Sequence, residues 1–529
     1  MNSPSNSGSL LRLFNSEFFS PYLALYYLLK LRENEGVVSY LINALHVFPA
    51  EEFVLFIPQL CSICRQLQLD AFDSWIAKLC GSDMTFAVRW LWYCHASAGA
   101  WTAPHLPELL RDCRDSYVAG FLPTNQHFYL DYQHFISVSL VNISLKAAKE
   151  AQGERLAFVQ RELLLCLQAK SPEKMPLFVG MDSERKKAKK KTKEPPIVTA
   201  WNIDKTLVLQ SRWCPFVLGL EFDEKRVEGG GEGEEEEEED VHDDDDEEEQ
   251  GNEPGAPCRL FVDSIPTPSM IVKGGEDLRQ EALAMQLLCE LNRIWQEASL
   301  PLHNMTYDIV PCHVAGGFIQ TVKEVMSLHH LKAANGLSAA ASMMDVFEKL
   351  FGERGSAPFV AAQERFVKSA AAVSLSTYLL QVKDRHNANF LLRASGELGQ
   401  IDFGFILGQS PRLQWESAPF KLTSEWISVM GGPNSDWHNY FSVLFLQGLL
   451  AVRKDHERLC WMIESLSGMG IPCIQNKGAD VVGAFKDRLK LSMTEDQVVA
   501  YVRTLTQSAL DAFSTRQYDQ FQYYVNGIL

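Results

Sequence analysis

The sequence predicts an α+β chain in which an all-α N-terminal region precedes a two-lobed region of mixed strands and helices. Three observations carry this expectation. From about residue 10 to residue 170 the apolar residues recur at helical spacing. From residue 197 onward, short apolar runs of strand length alternate with turn residues. Between Gln381 and Leu407, the string QVKDRHNANFLLRASGELGQIDFGFIL sets polar residues at the ends of a predicted hairpin.

In the first region Tyr22-Leu23, Tyr26 and Leu29, then Leu41 and Leu45, fall on helical faces, with Asn34-Glu35-Gly36 and Pro49 as breaks. PAEEFVLFIPQLCSICRQL reads as a further helix pair, and the expected domain ends near residue 180. Cys61-x-x-Cys64 is the only close pair among 12 cysteines, and no further ligands complete a zinc set. Its apolar setting predicts buried helix thiols, and scattered reduced cysteines suit a cytoplasmic protein. No uninterrupted apolar run of 18 residues, signal peptide or lipidation box is visible, so a membrane would be reached peripherally.

Residues 185–193, RKKAKKKTK, hold seven basic residues and read as a solvated linker over 181–196 that ends at Pro195-Pro196. The first lobe is expected over 197–321, with strands at TLVLQ and PFVLGLEF flanking Ser211-Arg212-Trp213-Cys214. It is interrupted at 228–257 by a tract without aromatic residues, carrying 16 carboxylates between Glu228 and Glu249, which is predicted to be a disordered insert. That tract accounts for nearly all of the formal charge of −18, leaving the remainder at −2, which argues against a nucleic-acid partner. Ser269 to Lys273 reads as a strand and Glu276 to Glu297 as a helix. YDIVPCHVAGGFIQTV reads as a strand, a Gly-Gly turn and a run into helix. The second lobe, 322–529, is dominated by helices, including SAAASMMDVFEKLF, FVAAQERFVKSAAAVSLSTYLL, Thr423 to Met430 and Trp437 to Arg453. A capping box at Thr494 opens its tail, and a Tyr518, Phe521, Tyr523-Tyr524 cluster is read as core.

The chemistry is concentrated between Gln381 and Leu407. LLQV, NFLLR and QIDFGFIL are strand-length runs, with Ala394-Ser395-Gly396 turning the last two into a hairpin. Asp384, Arg385, His386 and Asn389 fall before that hairpin and Asp402 after it. Transfer of a phosphoryl group needs a carboxylate or imidazole near the attacking hydroxyl, and an Asn and an Asp to hold Mg²⁺. Upstream, a strand Lys (Lys273) and a helix carboxylate (Glu281) form the pair that holds nucleotide phosphates.

Protein kinases carry His-Arg-Asp where this chain has Asp-Arg-His. That order resembles the phosphoinositide 3- and 4-kinase superfamily. VKDRHNANFLL, IDFGFILGQSPR and SAPFKLTSEWISVMGG, with MIVKGGEDLRQEALAMQLL upstream and YDQFQYYVNGIL downstream, are most similar to the type III beta phosphatidylinositol 4-kinases. The resemblance covers nearly all of 197–529 and, more weakly, residues 10–70. It implies a two-lobed protein-kinase-like catalytic domain after a lipid-kinase helical domain. It also implies ATP-dependent phosphorylation of phosphatidylinositol on the inositol 4-hydroxyl, with a phosphatidylinositol 3-kinase as the nearest alternative. A protein kinase of the same superfamily and an inactive scaffold are more distant ones. By resemblance Lys273 contacts ATP phosphates and Glu281 orients it, Ser211 lies in the turn over the phosphates, and backbone groups of Gln320 and Val322 bond adenine. Asn389 and Asp402 bind Mg²⁺, or Mn²⁺ in its place. Asp384 or His386 takes the proton from the inositol hydroxyl, and Arg385 positions the loop. The implied partners are membrane phosphatidylinositol and protein recruiters, a Rab GTPase or a Golgi adaptor among them, and the implied site of action is the Golgi surface. Arg412 is the only basic residue between Asp402 and Phe420, so unmodified phosphatidylinositol is the expected substrate rather than its phosphorylated forms.

Overall fold

The computed structural model describes residues 7–97, 129–169, 177–178, 197–209, 211, 213–222, 269–334, 342–411, 416–475 and 480–529. The basic run at 185–193, the acidic tract at 228–257, Arg212 and Arg412 lie outside those residues. The α+β expectation is met. Among the described residues, eight α-helices from Ser7–Phe14 to Arg155–Ala169 precede a six-stranded sheet and a second, mostly helical lobe.

The early helices start where side chains can satisfy exposed backbone donors. Ser20 caps Leu23 N ahead of Pro21–Lys30, and Asn34 caps Val37 N ahead of Glu35–Leu45. Residues 34–36 are therefore a helix start rather than a gap. Cys61 and Cys64 are buried thiols on the helix Ile57–Leu67, as their apolar setting predicts. Among the described residues, no single helix is long and apolar enough to cross a membrane.

The large sheet contains β1 (Leu177–Phe178), β2 (Ile197–Val208), β3 (Phe216–Phe222), β4 (Ser269–Gly274), β5 (Ile309–His313) and β6 (Gly316–Gln320). Its order is β1-β2-β3-β4-β6-β5, with every neighbour antiparallel. One element differs from its prediction. Gly316-Gly317 is not a turn into helix but the opening of β6, and the turn falls at Val314-Ala315. The glycine is needed for close packing, since a Cβ on Gly317 would stand 2.2 Å from the Val310 carbonyl oxygen.

The second sheet is β7 (Val325–Ser327), β8 (Phe390–Arg393) and β9 (Leu398–Gln400). The predicted hairpin is present, with Leu392 opposite Leu398 and Gly396 at φ 98 in its turn. LLQV, however, is not a strand. Leu379 and Leu380 end the helix Ala357–Leu380, which Gln381 closes in the left-handed conformation. QIDFGFIL stays in strand only to Gln400.

Two cores divide the molecule. One joins the helices up to Cys94 with the helix Arg279–Glu297 and the helices of the second lobe. The other joins Tyr129–Ala147 and Arg155–Ala169 with the inner face of β2 to β6. The last helices of the N-terminal region therefore pack as a cover on the sheet that carries Lys273.

Candidate active site

Lys273 lies near the end of β4. Its Nζ stands 2.9 Å from Glu281 Oε1 and 2.5 Å from Glu276 Oε2. Glu281 lies in the first turn of Arg279–Glu297 and is 5% exposed. Burial alone would lower the Lys273 pKa, but Glu281, Glu276 and Asp402 outweigh it and hold the ammonium above its usual range. The lysine is thus a fixed positive charge between carboxylates from both lobes.

The turn after β2 packs directly over this strand end. A Cβ on Gly275, which sits at φ 94, would lie 2.3 Å from the Trp213 ring. The Ser144 hydroxyl from Tyr129–Ala147 donates to the Trp213 and Cys214 carbonyls, each at 3.1 Å, and accepts from Gly274 N. Ser211 is exposed in the same turn. The Gln320 amide instead donates to the Asp308 carbonyl at 2.8 Å. An adenine at the lobe junction therefore has no access to that N–H. Val322, half-buried just beyond the strand, packs against the core.

On the other side, the Ile401 amide donates to the Asn389 carbonyl at 3.0 Å, which sets Asn389 beside Asp402. Asp402 is exposed at φ 62, and its Oδ1 accepts from Gly404 N. Asn389 gives its side-chain N–H to the Asp384 carbonyl at 2.9 Å, so its amide oxygen is the atom it could offer a cation. One carboxylate oxygen and one amide oxygen are the kind of donors that a hard divalent cation accepts.

Asp384 sits at φ 65, with Oδ1 3.7 Å from His386 Nε2. Burial lowers the His386 pKa, opposed by Asp384, so the imidazole is neutral near pH 7. Arg385 does not face the reaction space. Its buried guanidinium donates to the carbonyls of Lys383, Ile401 and Asp402, tying the two halves of the site together.

Two family models match this chain. The model described as phosphatidylinositol 3- and 4-kinase covers residues 268–476, and the PI4KB/PIK1 accessory (PIK) domain covers residues 23–94. Residues 268–476 are thus similar to the catalytic domain of phosphatidylinositol 3- and 4-kinases, and residues 23–94 to an accessory domain. Phosphatidylinositol 4-kinase beta of Rattus norvegicus, of Mus musculus and of Xenopus tropicalis are each 42% identical to it over 263 residues. That stretch is 49% of this chain and 32% of each relative, so the match spans about a third of the relatives' length.

The structure also shows contacts that the linear motifs do not reveal. Gln280, next to Glu281, donates to the carbonyls of Phe403 and Gly404 at 3.1 and 2.7 Å, fixing the segment after Asp402. The Tyr518 hydroxyl donates to Asp384 Oδ1, and Gln522 supports it at 2.8 Å. Tyr518 is thus core, as predicted, but Tyr523 and Tyr524 on the same helix are 43% and 74% exposed. Lys421 bridges Asn387 Oδ1 at 3.0 Å and Asp519 Oδ1 at 2.6 Å, so the Phe513–Asn526 helix buttresses the catalytic loop twice. Each of these residues lies in a string that carries the resemblance, but no pattern in those strings ties it to residues 384 or 402.

Proposed function

We propose that this kinase transfers the γ-phosphoryl group of ATP to the inositol 4-hydroxyl of membrane phosphatidylinositol, giving phosphatidylinositol 4-phosphate and ADP. The observation that supports it most is the Lys273–Glu281 pair set across from Asn389 and Asp402. The choice of the 4-hydroxyl rests on the likeness to the beta 4-kinases over half of the chain.

Lys273 would hold nucleotide phosphate oxygens while Glu281 keeps its ammonium in place. Asn389 and Asp402 would hold Mg²⁺, or Mn²⁺, which supplies charge neutralisation at the transferring phosphoryl group. Asp384 or His386 would accept the inositol hydroxyl proton as its oxygen bonds to phosphorus and the bond to ADP breaks. Arg385 would keep Asp384 and Asp402 in register. The lipid would be met at a membrane surface, with recruitment by protein partners at the Golgi.

The test presents phosphatidylinositol vesicles with labelled ATP and determines where the ring is phosphorylated. The 4-phosphate is the expected product. The 3-phosphate would replace this reading with a 3-kinase, and label on protein alone would replace it with a protein kinase.

A further inference from the structure

Glu416 lies beyond Asp402 in the segment that leads to Phe420, and no catalytic motif includes it. Its Oε2 accepts the Asp384 amide N–H at 2.6 Å, and its Oε1 accepts the Arg385 amide N–H at 3.0 Å. The contact is reciprocal. The Lys383 ammonium donates back to the Glu416 carbonyl at 2.9 Å and to the Ala418 carbonyl at 3.4 Å. Residues 383–385 and 416–418 are therefore clasped, each by a side chain on the other's backbone.

The clasp falls where the backbone needs it. Asp384 is a non-glycine residue at φ 65, a conformation that persists only when its surroundings over-determine it. Its carboxylate is fixed independently by the Tyr518 hydroxyl. The next residue, Arg385, sends its side chain to the Ile401 and Asp402 carbonyls. One carboxylate thus orients the candidate proton acceptor and also the arginine that sets the position of Asp402. Two oxygens serve two adjacent N–H donors, so only a carboxylate fits. A carboxamide would turn its NH2 donor against one of them.

We propose that Glu416 is a positioning residue that locks the Asp384–His386 loop in its transfer-competent backbone. In doing so it ties residues 416–418 to the loop proposed to carry phosphoryl transfer. This rests on reading Asp384 to Asp402 as a phosphoryl-transfer site. Glu416 touches neither Lys273 nor Glu281, so nucleotide binding on the other lobe is left intact.

The experiment compares the full chain with its Glu416→Gln, Glu416→Asp and Glu416→Ala variants. It measures kcat and KM for ATP and for phosphatidylinositol vesicles, nucleotide Kd and Tm. Glu416→Gln and Glu416→Ala are expected to lose about 10- to 100-fold in kcat. Nucleotide Kd and both KM values should stay within about threefold, and Glu416→Asp, which keeps both acceptor oxygens, should recover part of the loss. A rise in lipid KM at unchanged kcat would overturn the proposal in favour of simple lipid docking. Loss of Tm in step with activity, or no loss of activity, would overturn it as well. If the parent chain leaves phosphatidylinositol unmodified, the function proposed above fails. The Glu416 proposal is then read from ATP hydrolysis, in which water takes the place of the lipid hydroxyl. A hydrolysis rate equal to the parent's in Glu416→Gln would overturn it there.

Discussion

Lys273 is held by two carboxylates of its own lobe and attracted by Asp402 from the other, which together raise its ammonium pKa above the ordinary value despite burial. This pair, Asn389 and Asp402 were legible in the sequence because each lies within a short string at a strand or helix end. Residues that act on them from afar were not legible. Glu416 reaches Asp384 across 32 positions, Gln280 reaches Phe403 across 123, and Tyr518 reaches Asp384 across 134. No periodicity encodes such contacts; only the fold brings them together. Tyr518 gives the residue-scale prediction. Its hydroxyl donates to a carboxylate, an interaction worth about 1.5–3 kcal/mol. Tyr518→Phe should therefore lower kcat by roughly 10- to 100-fold while nucleotide Kd stays unchanged. Measuring both on the same preparation decides it, and an unchanged kcat would show that the hydroxyl does not tune the loop.

Among the elements, the helix Arg279–Glu297 does most to assemble the site. Three successive residues at its start each make a different tie: Arg279 to the Met469 carbonyl, Gln280 to the Phe403 and Gly404 carbonyls, and Glu281 to Lys273. Farther along, Gln286 pairs with Gln59 of Ile57–Leu67, and Gln59 also donates to the Met462 carbonyl at 3.1 Å. The helix was legible from its apolar face, and its N-terminal neighbours were not. Short apolar runs were the weak point at this scale. LLQV has strand length, but it is the end of a buried helix, where both states look equally apolar. The prediction for the elements comes from Met84–Ala96, whose His95 ring stacks on His134 of Tyr129–Ala147 at 3.8 Å. Burial, with His134 and His313 adding to it, pushes the His95 pKa down to about 4. The folded state then binds fewer protons than the unfolded chain below the ordinary value of 6.5. The His95 contribution is complete above pH 6.5 and is lost as pH falls towards 4. Thermal melts of the parent and of His95→Gln across that window should converge at the acid end. Parallel curves would place the acid sensitivity elsewhere.

At the scale of the molecule, the N-terminal helices are not an appendage. Those up to Cys94 share a core with the second lobe, and Tyr129–Ala147 and Arg155–Ala169 share one with the sheet. The boundary expected near residue 180 marks a change of composition, and packing crosses it freely. Composition predicts the opposite behaviour for the acidic tract, which has no aromatic residue to bury. Deleting residues 229–256 should leave kinase activity within a few-fold of the parent, since loop length costs only ~0.6 kcal/mol per doubling. Collapse of activity on deletion would mean that the tract has a specific partner.

Asp402 is the residue whose replacement bears most on the proposed phosphoryl transfer to phosphatidylinositol. The most direct measurement is the rate of labelled phosphatidylinositol 4-phosphate formation on vesicles by the parent and by Asp402→Asn, with Tm recorded for both. The parent is expected to give the 4-phosphate and the variant about a hundredfold less or lower still, with nearly equal Tm values. Parent-like turnover by Asp402→Asn at the same Tm would contradict that expectation.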